Sequence, residues 1–317
     1  MGYGRISYYI SGDCHGEFEK IGLFCRNYQT NPEDVLILLG DVGLNYFLNP
    51  SDKKRKNQLS ELPITLLCVQ GNHEERPANL SSYMKKEWHG GSVFYEPEYS
   101  NILFAKDGEV YDFDGKKAIV MGGAYSIDKE FRLMAGMPWF ADEQPSDEIK
   151  AYVEEKLEQC DWKVDYVLSH TCPACMVPAD LFRDTDAQNK VDHSTEEWLE
   201  KLYKRLDFQK WYFGHFHENR SYIRFTMLYE EIRELGSEDF LQRLGRPKYR
   251  QGEMVLFYIL EGCEEIECYG RIQHVNRYGT AGQYREVSYD IYGPDYQETE
   301  RKILYEHIVE SKVVQNF

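Results

Sequence analysis

The chain has 317 residues, enough for one large domain and a small one. It is 42% hydrophobic, so it can bury a full core, and its 54 acidic and 37 basic residues give a formal charge of −17. A surface of that sign repels a nucleic-acid backbone at long range, which argues against extended nucleic-acid binding but not against a small phosphorylated substrate held by cations. No run approaches the roughly 18 apolar residues of a membrane span. No cationic leader precedes the first apolar run. The expectation is a cytoplasmic protein whose eight cysteines stay mostly reduced.

Residues 5–10 read as a strand that ends at Ser11-Gly12-Asp13. Over 17–28 the apolar residues Phe18, Ile21, Phe24 and Cys25 fall at helical spacing. Continuous apolar runs at 35–39 and 64–69 have the composition of strands buried on both faces, and a polar helix is expected between them at 51–62. The order strand, helix, strand, helix, strand implies a parallel sheet. Short strands follow at 93–95, 102–105, 109–113 and 117–121, with a hairpin at Asp114-Gly115. These are expected to form the antiparallel second half of a two-sheet sandwich. Helices are predicted at 145–160 and 195–206, the latter capped by Ser194 or Thr195. Strands are predicted at 166–168, 211–213 and 222–229. Residues 1–230 therefore read as one domain. The charged segment 231–246 reads as a helical connector. Residues 247–317 read as a small β-barrel-like module with strands at 254–260, 267–275, 285–291 and 303–311.

Five segments carry metal-binding chemistry: Asp13-Cys14-His15, Gly40-Asp41-Val42-Gly43, Gly71-Asn72-His73-Glu74, Ser169-His170 and Gly214-His215-Phe216-His217. Five of the nine histidines fall inside them. Each segment follows a predicted strand, and sites in open α/β sheets lie beyond the carboxyl ends of strands. Imidazole, carboxylate and amide oxygens together suit borderline divalent metals. Two ions sharing a carboxylate can clamp a phosphate and generate hydroxide. Taken singly, each segment is an ordinary turn or a core histidine; the set of five carries the reading. Arg76, Lys129, Arg132, Arg183 and Arg220 lie near the segments in sequence. Arg76, Arg132 and Arg220 are the candidates for holding substrate phosphate. Cys172-Pro173-Ala174-Cys175 has no second Cys-x-x-Cys to complete a zinc site and reads as a loop with two thiols.

The five blocks, in this order and spacing, resemble the signature of the calcineurin-like metallophosphoesterases over residues 5–230. The resemblance implies an α/β fold, a four-layer α/β/β/α sandwich. It implies a first metal held by Asp13, His15, Asp41 and His217, and a second by Asp41, Asn72, His170 and His215, with Asp41 as the bridge. Manganese is the first expectation; iron, zinc and nickel also accept this ligand set. The reaction implied is hydrolysis of a phosphomonoester or phosphodiester by a metal-bridging hydroxide, with His73 assisting the leaving group. In the protein phosphatase branch, the bridging Asp is followed by a second Asp and an Arg. Here Val42, Gly43, Leu44 and Asn45 follow Asp41, which argues against that branch and leaves Glu74 or Asn45 to orient His73. Gly90-Gly91, the run 119–126 and Ser169 to Pro173 are similar in order to RNA lariat debranching enzymes, which carry Cys at the position of Asp13. A nucleotide or nucleic-acid phosphodiesterase is the alternative within the class. A non-catalytic scaffold on the same fold is the alternative outside it, although every ligand position here is filled. The expected partner is a phosphorylated small molecule or nucleotide. The five segments do not specify the substrate, the metal, the oligomeric state or the role of the C-terminal module.

Overall fold

The structure is a computed structural model that describes residues 6–182, 191–242, 247–261, 264–277, 287–293, 303–309 and 313–316. The chain divides into two units, one of residues 1–25 and 29–240, the other of 26–28 and 241–317.

The first unit opens with β1 (Tyr8–Ser11), α1 (Glu19–Tyr28), β2 (Val35–Leu38), α2 (Pro50–Ser60) and β3 (Thr65–Cys68). Next come β4 (Met84–Trp88), β5 (Gly91–Tyr95), β6 (Ile102–Ala105), β7 (Val110–Phe113) and β8 (Lys116–Met121). Then follow α3 (Lys129–Ala135), α4 (Asp147–Gln159), β9 (Tyr166–Ser169), α5 (Ser194–Tyr203) and β10 (Lys210–Phe213). The last strands of this run are β11 (Arg220–Ser221), β12 (Phe225–Met227), β13 (Ile232–Glu234) and β14 (Phe240–Gln242).

Two sheets result, with strand orders β14-β13-β1-β2-β3-β6-β5-β4 and β11-β12-β10-β9-β8-β7. Side-chain alternation sorts the layers. Ile10, Val35, Ile37, Leu67, Val93 and Leu103 of the first sheet pack with Tyr111, Val120, Leu168 and Tyr212 of the second in one buried core. The opposite face of the second sheet, with Ile119, Val167, Trp211 and Phe213, packs on Val153 and Leu157 of α4 and Trp198, Leu199 and Leu202 of α5. On the first sheet's outer face, Phe24 of α1 meets Tyr9 edge-on at 4.8 Å. The unit is an α/β/β/α sandwich.

Several expectations are corrected by pairing. β5 and β6 belong to the first sheet, because β6 continues the parallel run beside β3 and β5 folds back on it. The second sheet is mixed rather than antiparallel: β7 and β8 form the predicted hairpin, but β8, β9, β10 and β12 run parallel. Asp114 and Gly115 supply the two positive φ angles, 52° and 84°, that a type I′ turn needs. The charged segment 231–246 is no helix where it is described. β13 pairs antiparallel with β1, Tyr9 opposite Glu234, and Ile232 is fully buried. Lying between β14 and β1, β13 keeps Arg233 buried by pairing it with Glu231, while Glu234 faces outward. Residues 243–246 of that segment lie outside the described residues. α5 is preceded by His193 with no side-chain cap, so Ser194 and Thr195 are helical rather than capping.

The second unit holds β15 (Met254–Glu261), β16 (Glu264–Asn276), β17 (Ser288–Gly293), β18 (Ile303–Val309) and β19 (Val313–Asn316) in the order β18-β17-β16-β15-β19, all antiparallel. Its core gathers Tyr249, Val255, Phe257, Ile272, Tyr289 and Ile291. No described helix is long and apolar enough to cross a membrane.

Candidate metal centre

The ligand segments leave the carboxyl ends of β1, β2, β3, β9 and β10, five parallel neighbours split between the two sheets. Asp13, Asp41, Asn72 and His170 are almost fully buried there, and His15 and His215 are half-buried. His217 is the exposed member.

Two groups of donors converge, Asp13 with His15 and His217, and Asp13 with Asp41 and His170. In the first, Nε2 of His217 and of His15 lie 3.4 and 3.6 Å from Oδ2 of Asp13 and 2.8 Å from each other. Oδ2 of Asp13 is buried and accepts no hydrogen bond. Two ligands each about 2.1 Å from one tetrahedral ion stand about 3.4 Å apart, so this spacing suits donors arranged around a cation. In the second group, Nε2 of His170 lies 3.7 Å from Oδ2 of Asp41 and 2.7 Å from Oδ1 of Asn72, and Nδ1 of His215 lies 3.1 Å from the same amide oxygen. Two buried carboxylates side by side are costly without positive charge between them. All seven predicted ligands are therefore brought together, and the donor set fits divalent metals. Asp13 is the carboxylate shared by both groups, beside the Asp41 that the family resemblance makes the bridge.

The ionisation states of Asp13, Asp41 and His215 fit the same role, whereas at His15 burial is overcome by Asp13, which holds the pKa up, so a cation there would have to displace a proton. Burial opposes charge on Asp13, but the rings of His15 and His217 and the nearby His170 outweigh it and hold the carboxyl well below its usual range. Burial likewise opposes ionisation of Asp41, and His170 and His73 overcome it. Burial, with His170 beside it, pushes His215 down to about 3, which keeps its ring neutral. Metal ligands must be present as carboxylate and neutral imidazole.

Interlocking glycines make this convergence possible. A Cβ on Gly40 would lie 2.2 Å from Nδ1 of His170, one on Gly71 2.0 Å from Oδ1 of Asp41, and one on Gly214 2.3 Å from Oδ1 of Asp13. The residue before a ligand on one loop is thus the seat of a ligand from another. His15, Asp41, His215 and His217 all have positive φ, between 47° and 67°. Backbone strain of this kind persists where the surrounding structure over-determines it, commonly at functional sites.

Supporting contacts fix the ligands. Nδ1 of His170 is held 2.7 Å from the Leu39 carbonyl, so Nε2 faces the centre. The Asn72 amide donates to Oγ of Ser126 at 2.9 Å, which donates to Glu143. Trp139 donates to the same carboxylate at 2.8 Å. The ammonium of Lys20, buried on α1, donates to the carbonyls of Gly12, Asp13 and Tyr229. None of Lys20, Ser126, Trp139 and Glu143 is marked by the ligand motifs. Only Lys20 leaves a trace, a cation seven positions after Asp13 on an otherwise apolar helix face.

His73 is not among the grouped donors; its amide donates to Oδ1 of Asp41 at 2.8 Å and its Nε2 lies 3.9 Å from Oδ2. Neither expected partner orients the ring. Glu74 accepts the amides of Val42, Gly43 and Gly71, and Asn45 bonds Tyr83 and the Glu75 carbonyl. The neighbour is Arg132, whose Nη2 stands 3.3 Å from Nε2 of His73. Burial lowers the His73 pKa; Asp41 opposes that effect and Arg132 adds to it.

Of the other basic candidates, Arg132 alone faces the centre. Arg76 is paired with Asp107 at 2.6 Å, and Arg220 is paired with Asp180 at 2.8 Å on both nitrogens. Lys129 lies over the Trp139 ring. Arg183 lies outside the described residues. Cys172 is buried in the second sheet's outer core and Cys175 is exposed, both as free thiols.

Two cavities open onto the centre. The larger, 480 Å³, runs past Asn72, His73 and His215 to Tyr125, Ile127, Phe182 and Phe216. The smaller, 200 Å³, is bounded by His15, Asp41, Gly43, Tyr46, Arg55, His73 and Arg132.

The calcineurin-like phosphoesterase family model matches residues 6–219. No curated protein matches the chain. Among solved structures, phosphopantetheinyl hydrolase from Mycobacterium tuberculosis is similar at 14% identity and a TM-score of 0.41, over 71% of this chain and 90% of its own. A protein of unknown function from Aquifex aeolicus is similar at 16% identity and a TM-score of 0.29, over 52% of this chain and 80% of its own.

Proposed function

This chain belongs to the calcineurin-like phosphoesterase family and is a metal-dependent hydrolase of phosphate esters, and from that premise we propose a cytoplasmic enzyme that cleaves a phosphomonoester or phosphodiester of a small molecule or nucleotide. Asp13, His15, Asp41 and His217 would hold one divalent ion and Asp41, Asn72, His170 and His215 a second, manganese being the first expectation. Bound there, the ions supply Lewis-acid stabilisation of phosphate oxygens and lower the pKa of water. The chain's own residues do the rest. Asp41 holds the His73 loop through the 2.8 Å amide contact and so sets the ring beside the centre. Arg132 stands 3.3 Å from Nε2 of His73; a guanidinium can only donate, so it pairs with that nitrogen in its unprotonated form, and burial together with Arg132 favours the neutral ring. Residues 1–230 would constitute the hydrolase domain, and 247–317 a separate β module.

The observation that supports this reading is the burial of two carboxylates at the focus of four imidazoles and an amide oxygen, with one carboxylate oxygen unsatisfied. The test is turnover of p-nitrophenyl phosphate and bis-p-nitrophenyl phosphate with and without Mn²⁺. Manganese-dependent release of nitrophenol is expected, and the ratio of the two rates ranks monoester against diester. No turnover of either ester with any of Mn²⁺, Fe²⁺, Zn²⁺ or Ni²⁺ would refute the proposal.

A further inference from the structure

The smaller cavity has its own chemistry. It shares His15, Asp41, His73 and Arg132 with the larger one, so it opens on the same centre, but Gly43, Tyr46 and Arg55 line only the smaller. At 200 Å³ it falls below the roughly 300–1,000 Å³ of a site for a whole small molecule, and so suits one substituent of a ligand.

That substituent meets two guanidinium groups. Arg55, on the second turn of α2, donates to the Gly43 carbonyl at 2.9 Å and stacks 4.9 Å above the Phe47 ring. A Cβ on Gly16 would lie 2.3 Å from its Cζ, so the residue after His15 must be glycine for the group to lie there. Arg55 forms no ion pair with a described carboxylate. Arg132 is buried and held in plane by Asp128, through 2.8 Å bonds from Nε to both oxygens, and by the Tyr46 hydroxyl at 3.1 Å from Nη1. Guanidinium carries five donors in a fixed fork. Arg132 also gives Nη1 to the Pro138 carbonyl at 3.4 Å and Nη2 to His73, which leaves it one N–H, whereas Arg55 gives one N–H to Gly43 among the described residues and keeps four for a ligand. The Tyr46 oxygen accepts from Arg132, which frees its own proton to donate. The one carboxylate on this wall is Asp41, which already belongs to the centre.

We propose that this cavity is a subsite for a second phosphoryl group, so that the preferred substrates carry two phosphates, one at the metal centre and one between Arg55, Arg132 and Tyr46. The proposal rests on the phosphoesterase reading above. The open fork of Arg55 matches the oxygens of a phosphate bidentately, with Arg132 adding a single N–H, and the larger cavity takes the organic part along Tyr125, Ile127 and Phe216.

The experiment compares adenosine 5′-phosphate, adenosine 5′-diphosphate and adenosine 3′,5′-bisphosphate as substrates with Mn²⁺, in the wild type, Arg55→Gln and Arg55→Lys. One two-phosphate compound is expected to exceed the monophosphate in kcat/KM by roughly 10- to 100-fold, the effect of one charge-assisted contact. Which compound wins separates a diphosphate chain from two separately attached phosphates. Arg55→Gln should bring that ratio toward one, and Arg55→Lys should restore part of it. A wild-type ratio near one, or an equal loss on all three compounds in Arg55→Gln, overturns the subsite, the latter because Arg55 would then grip the reacting phosphate. Calorimetric binding of the same nucleotides runs in parallel. Arg55-dependent preference in binding without turnover would sink the hydrolase reading and leave the subsite standing.

Discussion

The two halves of the centre are built differently. Asn72 and His170 are the fully buried members of one half, each backed by a second contact, Ser126 and Glu143 behind one and the Leu39 carbonyl behind the other. His15 and His217 sit in the open half; the side chain of His217 is 48% exposed, and its ring is stacked on Tyr229 at 4.8 Å. One half is thus pre-organised by the fold and the other is framed by loops at the mouth. Outer contacts that orient ligands are worth about 10- to 100-fold in metal affinity. The buried half should therefore bind more tightly and exchange more slowly.

The carboxylates between the halves give the largest effect. Asp41→Asn is expected to remove both ions and to cost more activity than the roughly 10²–10⁴-fold that a single acid–base group supplies. Metal content by mass spectrometry of the purified protein checks it; two ions retained would reassign the bridge to Asp13. Next in size, His73→Gln should keep both ions and lose roughly 10²–10⁴ in kcat. An unchanged rate removes His73 from the chemistry. The smallest effects separate the halves directly. Ser126→Ala should weaken the tighter ion by about 10- to 100-fold, whereas Tyr229→Ala should weaken the looser ion less than that, both read by competitive chelator titration. Equal losses would erase the distinction between the halves.

The segments that converge are legible because each places Asp, Asn or His just after an apolar run, as at Val35 to Asp41. The same runs placed β1, β2, β3, β9 and β10. Strand pairing was less legible. β4, with Lys85, Lys86 and Glu87, is an edge strand whose charges face solvent, so it carries no apolar alternation. β13 hid for another reason: its buried Arg233 is paired with the buried Glu231, so a core strand carries charged residues. α3 was missed because Phe131, Leu133 and Met134 are exposed and Arg132 is its buried side chain, the reverse of the usual stripe. Arg55 and Lys20 act by reaching across from neighbouring elements, and no local spacing reports where a long cation will end. Arg76 and Arg220 looked equivalent to Arg132 in sequence; only the positions of Asp107 and Asp180 separate them.

The interlocked glycines alter what a blind mutational map of this protein would say. Gly40, Gly71 and Gly214 touch no ion, yet a methyl group at any of them would evict a ligand that belongs to a different loop. Such a map would mark these three glycines beside the seven candidate ligands and His73, although none of the three carries a donor. Read as pairs, glycine on one loop with ligand on another, those three become distance restraints between segments far apart in the chain.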